Sequence, residues 1–481
     1  QMRSWVQFEG ERASMERRVT LHLCSLLQFL SLLLCSQPAA ASRSAVNFLP
    51  GFHGPLPFHL ETGYVGVGES EDVQLFYYFV RSEKDPKKDP LLLWLTGGPG
   101  CSGLSGLAFE IGPFNFKAEE YNGSLPCLVS NPNSWTKVSS VIFLDSPVGT
   151  GFSYARTPSA AHSGDRLSAN QTDEFLRKWL EEHPKFLSNS VYLGGDSYSG
   201  ITVPSTFKQM MEGNEAGMRP TLNLKGYLLG NPKTAPIIEK NSAIPFAYGM
   251  ALISKELFES LRGNCKENYV NIDPQNTHCL ESVKAYQECT DGINSAQILE
   301  PPCAFAFPKP FVLFERRSLK YEALLHSDNE LPQFGCRTYS YVLCRYWIND
   351  KIVQDALHIQ KGSIGEWKRC NDALPYTKDI PSSVPYHAYI STKGYRSLVY
   401  SGDHDMLIPY IGTEEWIKSL NYSIVEDWRP WKVDNQIGGY TRTYLNGMTF
   451  ATVKGGGHTA PEYKPRECFT MFQRWISEKP L

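Results

Sequence analysis

The heptapeptide Gly194-Gly195-Asp196-Ser197-Tyr198-Ser199-Gly200 ends the apolar run VYL and precedes ITVPSTFKQMM, a segment of helical character. A serine on a sharp strand-to-helix turn projects its hydroxyl clear of a sheet; small neighbours relieve the crowding, and the helix N-terminus favours developing negative charge. Such a hydroxyl is a poor nucleophile until a base takes its proton, and the base needs an orienting carboxylate. SLVYSGDHDMLIP and TFATVKGGGHTAP supply both groups as Asp403 and His458, each following an apolar run. Asp405 is the alternative acid. Taken alone, the serine turn departs from G-x-S-x-G, because Ser199 takes the second small position and Gly200 comes one later. Taken together, the three segments point to covalent acyl chemistry on Ser197.

The tetrahedral intermediate of that chemistry needs backbone N–H donors from a tight glycine turn early in the sheet. WLTGGPGCSG, after the run LLLWL, provides one, and Gly98 and Tyr198 are the expected oxyanion donors. These groups must be positioned by elements whose order the sequence also shows. LLLWL (91–95), VIFLD (141–145), VYLG (191–194), YLLGN (227–231), SLVYSGD (397–403) and TFATV (449–453) are apolar without alternation, as central strands buried on both faces are. Between them, QTDEFLRKWLEEHPKF places Phe175, Trp179 and Leu180 at helical spacing, and Pro184 ends the run. Strands alternating with helices predict an α/β fold with a doubly wound, mostly parallel sheet, whose ligands gather at the carboxyl ends of its strands.

Residues 232–385 break this rhythm. They carry seven of the ten cysteines that follow position 41 and the Pro-rich stretch LEPPCAFAFPKPF, and read as a helical, disulfide-rich insertion capping the sheet, with an independent small domain as the alternative. The rest of 42–481 reads as one domain. Ahead of it, LHLCSLLQFLSLLLC follows Arg17 and Arg18 and leads into Ala39, Ala40 and Ala41, the layout of a secretory signal over 15–41; a membrane span needs about 20 apolar residues. Residues 1–14, before Met15, read as upstream leader. A net charge of −3 with scattered Lys and Arg argues against a nucleic-acid partner, and no other run predicts a stable membrane anchor. The route predicts disulfides and three glycan acceptors, Asn122, Asn170 and Asn421. No metal or organic cofactor is required by a serine mechanism, and no zinc-protease His pattern is present.

WLTGGPGCSG, DSPVGTGFSY, GGDSYSG, SGDHD and GGGHTAPEYKP together resemble, in form and order, the serine carboxypeptidase family over about residues 47–478. The resemblance implies an α/β-hydrolase fold, a Ser197–His458–Asp403 triad, a secreted or vacuolar protein, and disulfides Cys101–Cys336, Cys265–Cys279 and Cys289–Cys303. Cys127, Cys344, Cys370 and Cys468 have no assigned partner. The family is similar both to peptidases and to plant acyltransferases that use 1-O-acyl-glucose esters. Peptidase members place an Asn before the GGPG turn and a Glu before the nucleophile to bind a terminal carboxylate; this chain has Thr96 and Asp196 there and retains Glu110. With Gly97, these residues form the expected substrate wall. Asp196 and WLTGGPG look like the acyltransferase branch, which implies a small-molecule acyl donor and an alcohol acceptor, with a peptide substrate as the alternative. The ERRS site at 315–318 is a candidate for cleavage into two linked chains.

Overall fold

In the computed structural model of the protein, which describes residues 43–303 and 334–481, twelve strands form one mixed sheet. The leader, the signal segment and the ERRS site lie outside the described residues. Four further described strands form two separate pairs; in chain order all the strands are β1 (Arg43–Val46), β2 (Leu60–Val67), β3 (Val73–Val80), β4 (Leu91–Leu95), β5 (Phe114–Phe116), β6 (Leu128–Ser130), β7 (Ser140–Leu144) and β8 (Tyr154–Ala155). They continue as β9 (Ser163–Gly164), β10 (Val191–Asp196), β11 (Leu224–Gly230), β12 (Tyr376–Thr377), β13 (Arg396–Gly402), β14 (Ile424–Val433), β15 (Gln436–Tyr444) and β16 (Met448–Val453). The order across the sheet is β1-β2-β3-β7-β4-β10-β11-β13-β16-β15-β14, with β8 beside β3.

The six apolar runs form the parallel centre of this sheet, β7, β4, β10, β11, β13 and β16. Every residue of β4, β7 and β10 is buried, because helices cover both faces and leave no side on which a polar residue would meet water. The antiparallel flanks escaped the sequence pattern: β1–β3 join one side, and the exposed β14–β15 hairpin closes the other. The helix Asp165–Glu182 buries Phe175, Trp179 and Leu180 as its spacing requires and stops before Pro184.

Residues 232–385 lie between the adjacent parallel strands β11 and β13 and behave in two ways. The helices Pro236–Gly249, Lys255–Cys265 and Thr277–Thr290 share a small core of Ile244, Ile253, Leu261 and Val283, tied by Cys265–Cys279. The later helix Tyr339–Ile348 instead sends Leu343, Trp347 and Ile348 into the main core, where the Trp347 indole donates to the Pro50 carbonyl at 2.7 Å.

Of the three expected disulfides, the structure contains Cys265–Cys279 and replaces the other two. Cys101 pairs with Cys370, not Cys336, because the Ser102 N–H donates to the Arg369 carbonyl and the Asn371 N–H to the Gly100 carbonyl. That short antiparallel bridge sets residue 370 opposite residue 101. Cys336 pairs with Cys303, so Cys289 is left as an exposed thiol beside the exposed Cys127 and the buried Cys344 and Cys468. Asn122, Asn170 and Asn421 are all exposed. Among the described residues no helix is long and apolar enough to cross a membrane.

Candidate active site

Ser197 sits between the end of β10 and the helix Ser199–Glu215 with φ 55°, the left-handed region that non-glycine residues enter only under constraint. Two backbone hydrogen bonds impose it: the Ser197 N–H donates to the Gly230 carbonyl at 2.9 Å, and its carbonyl accepts the Lys233 N–H at 2.8 Å. The irregular G-x-S-x-G pattern now has a physical reason. A Cβ on Gly195 would strike the Leu95 carbonyl and one on Gly200 the Lys233 carbonyl, whereas Ser199 fits because its hydroxyl donates to Leu95 at 2.7 Å. Further along the helix, Pro204 lacks the N–H that would bond the Gly200 carbonyl. Ser383 supplies the missing donor at 2.5 Å.

The His458 loop after β16 is held by the His458 N–H donating to the Ala296 carbonyl at 2.7 Å. The ring bridges the site: Nε2 lies 2.8 Å from Ser197 Oγ and Nδ1 lies 2.8 Å from Asp405 Oδ2. The carboxylate on the ring is therefore Asp405, and the expectation of Asp403 in that place is corrected. β13 stops at Gly402, and the chain turns so that the fully buried Asp405 faces Nδ1. Asp403, partly exposed, instead accepts the Gly455 N–H at 2.7 Å and faces His404 Nδ1 at 2.6 Å. Asp403 holds the backbone of the histidine loop while Asp405 holds the imidazole. The sequence offered both carboxylates in SGDHD, and only the turn geometry chooses.

Gly97, Gly98 and Tyr198 meet beside Ser197. A Cβ on Gly97 would lie 2.7 Å from Ser197 Cβ and 2.9 Å from the Tyr198 nitrogen, so only glycine lets the two turns approach this closely. Gly98 has φ 118°, and neither its N–H nor that of Tyr198 has a protein acceptor among the described residues. Both amides are available to an oxyanion at the Ser197 carbonyl adduct. Asp145, fully buried, braces the turn by accepting the Ser102 hydroxyl at 2.6 Å and the Gly103 N–H at 2.8 Å.

The expected substrate wall forms an acidic cluster. Thr96 Oγ1 is buried without a hydrogen-bond partner among the described residues, and Asp196 Oδ1 accepts the Gly97 N–H at 3.2 Å. Glu110 ends a buried π-helical turn, Gly106–Glu110, and its Oε2 has no partner among the described residues. Burial, then the charges of Asp196 and Glu462, push the Glu110 carboxyl well above the usual range. Both causes drive it towards the neutral form. Burial raises Asp196 as well, opposed by the His458 charge and the Gly97 N–H. Sequence reading missed three neighbours. Glu462 accepts the Tyr341 hydroxyl at 2.8 Å and the Thr459 hydroxyl at 3.0 Å, and the Arg369 guanidinium stacks 4.2 Å from the Tyr341 ring centre. Glu462 lay within GGGHTAPEYKP, but Tyr341 and Arg369 come from the insertion, where no strand pattern placed them.

Burial alone would lower the His458 pKa; the charge and hydrogen bond of Asp405, with the charge of Asp196, overcome it and hold the imidazole above its ordinary value. A base must be unprotonated, so kcat/KM is expected to rise with pH through that elevated value. Replacing Asp196 with Asn removes one raising charge. The acid limb of kcat/KM for Asp196→Asn should move to lower pH, and a limb that stays or moves up would show that Asp196 does not act on His458.

The chain has clear relatives. The sequence profile of the serine carboxypeptidase family matches residues 50–478. Serine carboxypeptidase-like 7 of Arabidopsis thaliana is 54% identical over 460 residues, covering 96% of this chain and 99% of the relative. Serine carboxypeptidase-like 1 of the same plant is 55% identical, covering 95% and 98%. Among solved structures, Kex1(delta)p, a prohormone-processing carboxypeptidase from Saccharomyces cerevisiae, matches with a TM-score of 0.68 at 20% identity over 88% of this chain and 91% of that one. That likeness concerns the fold, which is the α/β-hydrolase fold. With the family profile spanning nearly all of the described chain and Ser197, His458 and Asp405 in one hydrogen-bonded line, this protein belongs to the serine carboxypeptidase family of enzymes.

Proposed function

We propose that the protein is a serine acyltransferase that moves an acyl group from a 1-O-acyl-glucose ester to an alcohol acceptor. The observation that carries this reading is the wall beside Ser197. Binding a peptide's terminal carboxylate calls for donors there, yet Thr96 has no side-chain amide to offer, only a hydroxyl, and Asp196 is turned onto the Gly97 N–H at 3.2 Å. An acidic wall of this kind disfavours an incoming carboxylate and suits an uncharged sugar ester.

In the proposed reaction Ser197 Oγ attacks the ester carbonyl while His458 Nε2 takes its proton. Asp405 holds the Nδ1–H tautomer, and the Gly98 and Tyr198 N–H groups stabilise the oxyanion. His458 returns the proton to the departing sugar oxygen, and glucose leaves. The acceptor hydroxyl then gives its proton to His458 and attacks the acyl-serine, and collapse of the adduct, with His458 returning that proton to Ser197 Oγ, releases the new ester and free Ser197.

One observation favours carboxypeptidase action as the second reading: burial and its acidic neighbours push the Glu110 carboxyl towards the neutral form, whose O–H would donate to a terminal carboxylate. A panel of acyl-glucoses with alcohol acceptors, run beside a panel of blocked dipeptides, separates the two. Acyl transfer should dominate, and the double change Thr96→Asn with Asp196→Glu should shift turnover towards dipeptide hydrolysis. Efficient release of C-terminal amino acids without acyl transfer would overturn the proposal. For the cellular route, we read residues 15–41 as a cleaved secretory signal, Asn122, Asn170 and Asn421 as glycan sites, and the vacuole or the extracellular space as the destination. The disulfides fit an oxidising compartment.

A further inference from the structure

Beyond the triad, the end of β11 carries a residue that no catalytic motif points to. Asn231 is fully buried and has φ 41°, a left-handed conformation that asparagine tolerates better than most residues. Its N–H donates to the Tyr400 carbonyl at 2.7 Å, and its Oδ1 accepts the Gly402 N–H at 3.0 Å. That second bond fixes the orientation of the amide, since the atom facing a backbone N–H must be the oxygen. The amide nitrogen therefore points the other way, and it donates to Asp405 Oδ2 at 2.8 Å. This is the same oxygen that lies 2.8 Å from His458 Nδ1. Asp405 Oδ1 accepts the Leu407 N–H at 2.8 Å, so both carboxylate oxygens are pinned.

We propose that Asn231 is a positioning residue of the triad: its side-chain amide locks the Asp405 carboxylate in the rotamer that presents Oδ2 to His458. Its neighbour Gly230 accepts the Ser197 N–H at 2.9 Å, so one turn at the end of β11 sets both the nucleophile and the acid. Without the amide, the carboxylate keeps one backbone donor and swings about it. The imidazole then loses the alignment that directs Nε2 at Ser197 Oγ.

The inference rests on the triad reading, and its test avoids any dependence on which acyl acceptor is used. The probe is a fluorophosphonate, and the readout is the second-order rate constant for labelling Ser197 in the full-length protein, with Ser197→Ala as the blank. Asn231→Gly removes the side chain while keeping the left-handed backbone, and labelling should slow by about 10²-fold, the scale of a small misplacement at a reacting centre. Asn231→Asp keeps the acceptor for Gly402 but sets a carboxyl against Asp405. Two carboxylates this close take up a shared proton as the pH falls, and the protonated introduced carboxyl then donates to Asp405 as the amide did.

The labelling rate of Asn231→Asp relative to wild type should therefore climb as pH falls, while the ratio for Asn231→Gly stays flat. His458 and the Tyr463 phenol also face Asp405, and Asp196 faces His458; because a carboxylate at 231 itself raises His458, the His458 titration of each protein is followed by NMR and divided out before the ratio is taken. Circular dichroism at each pH confirms that the variants compared are folded. Wild-type rates in both folded variants, or a pH-independent ratio for Asn231→Asp, would overturn the positioning role. Absence of labelling in the wild type would overturn the triad reading and this inference with it.

Discussion

Asp405→Asn is expected to lower kcat by about 10⁴-fold with little change in KM, the scale on which a misassigned imidazole tautomer costs a serine hydrolase. The carboxylate faces three donors: Leu407 N–H on Oδ1, and Asn231 Nδ2–H and His458 Nδ1 on Oδ2. An amide in its place has one oxygen and one NH₂ for these positions. If the NH₂ faces His458 it also faces the Asn231 donor, and it forces Nδ1 to accept. The proton then sits on Nε2, which can no longer take one from Ser197. If the NH₂ faces Leu407 instead, a buried donor meets a donor and the turn opens. Asp403→Asn should cost less than about tenfold, because a side-chain carbonyl still accepts the Gly455 N–H and the loss is near one hydrogen bond. Steady-state kinetics of the two variants, with melting curves to show both are folded, make the comparison; an Asp403 variant as impaired as the Asp405 variant would return the acid role to Asp403.

Gly97→Ala should lower kcat by about 10² to 10³, the cost of losing one oxyanion donor. The new methyl would sit 2.7 Å from Ser197 Cβ, 2.8 Å from the Asp196 carbonyl and 2.9 Å from the Tyr198 nitrogen. Two of those atoms are backbone and none is the end of a flexible side chain, so the strain is relieved by moving one turn away from the other. That motion carries Gly98 and Tyr198 apart, and the two N–H groups no longer converge on one oxygen. Single-turnover acylation should slow with kcat, while substrate binding changes little. A variant that melts like wild type and acylates within tenfold of it would show that the gap between the turns is not needed.

The legible parts of this protein were those where a local rule has a single answer. A run such as LLLWL is apolar at every position because both faces are covered, and that same pattern identifies a central strand wherever it occurs. The antiparallel hairpin β14–β15 has no such mark: on β14 the exposed Ile424 and Val425 run straight into Glu426 and Asp427, and on β15 the exposed Ile437 and Tyr440 are separated by two glycines. Of the cysteine pairs that the family resemblance implied, only Cys265–Cys279 is formed, and nearness in sequence did not decide it, since Cys303 bonds Cys336 and not Cys289. The Cys101–Cys370 bond spans 269 residues and depends on a backbone bridge that only the folded chain creates.

The sequence by itself singled out Ser197 and His458, the pair that the structure joins at 2.8 Å, as the proposed nucleophile and base. Ser197 needs Gly195 and Gly200 around it, and His458 needs its glycine loop, so each is recognisable from its immediate neighbours. The sequence reading placed the acid on Asp403, two positions before the carboxylate that meets His458, because a turn's direction is set by what it packs against. The tertiary structure chose Asp405 by burying it against His458 and Asn231, and it brought Tyr341 and Arg369 from the insertion to the substrate wall. Side chains that meet across strand ends hundreds of residues apart leave no local trace in the chain.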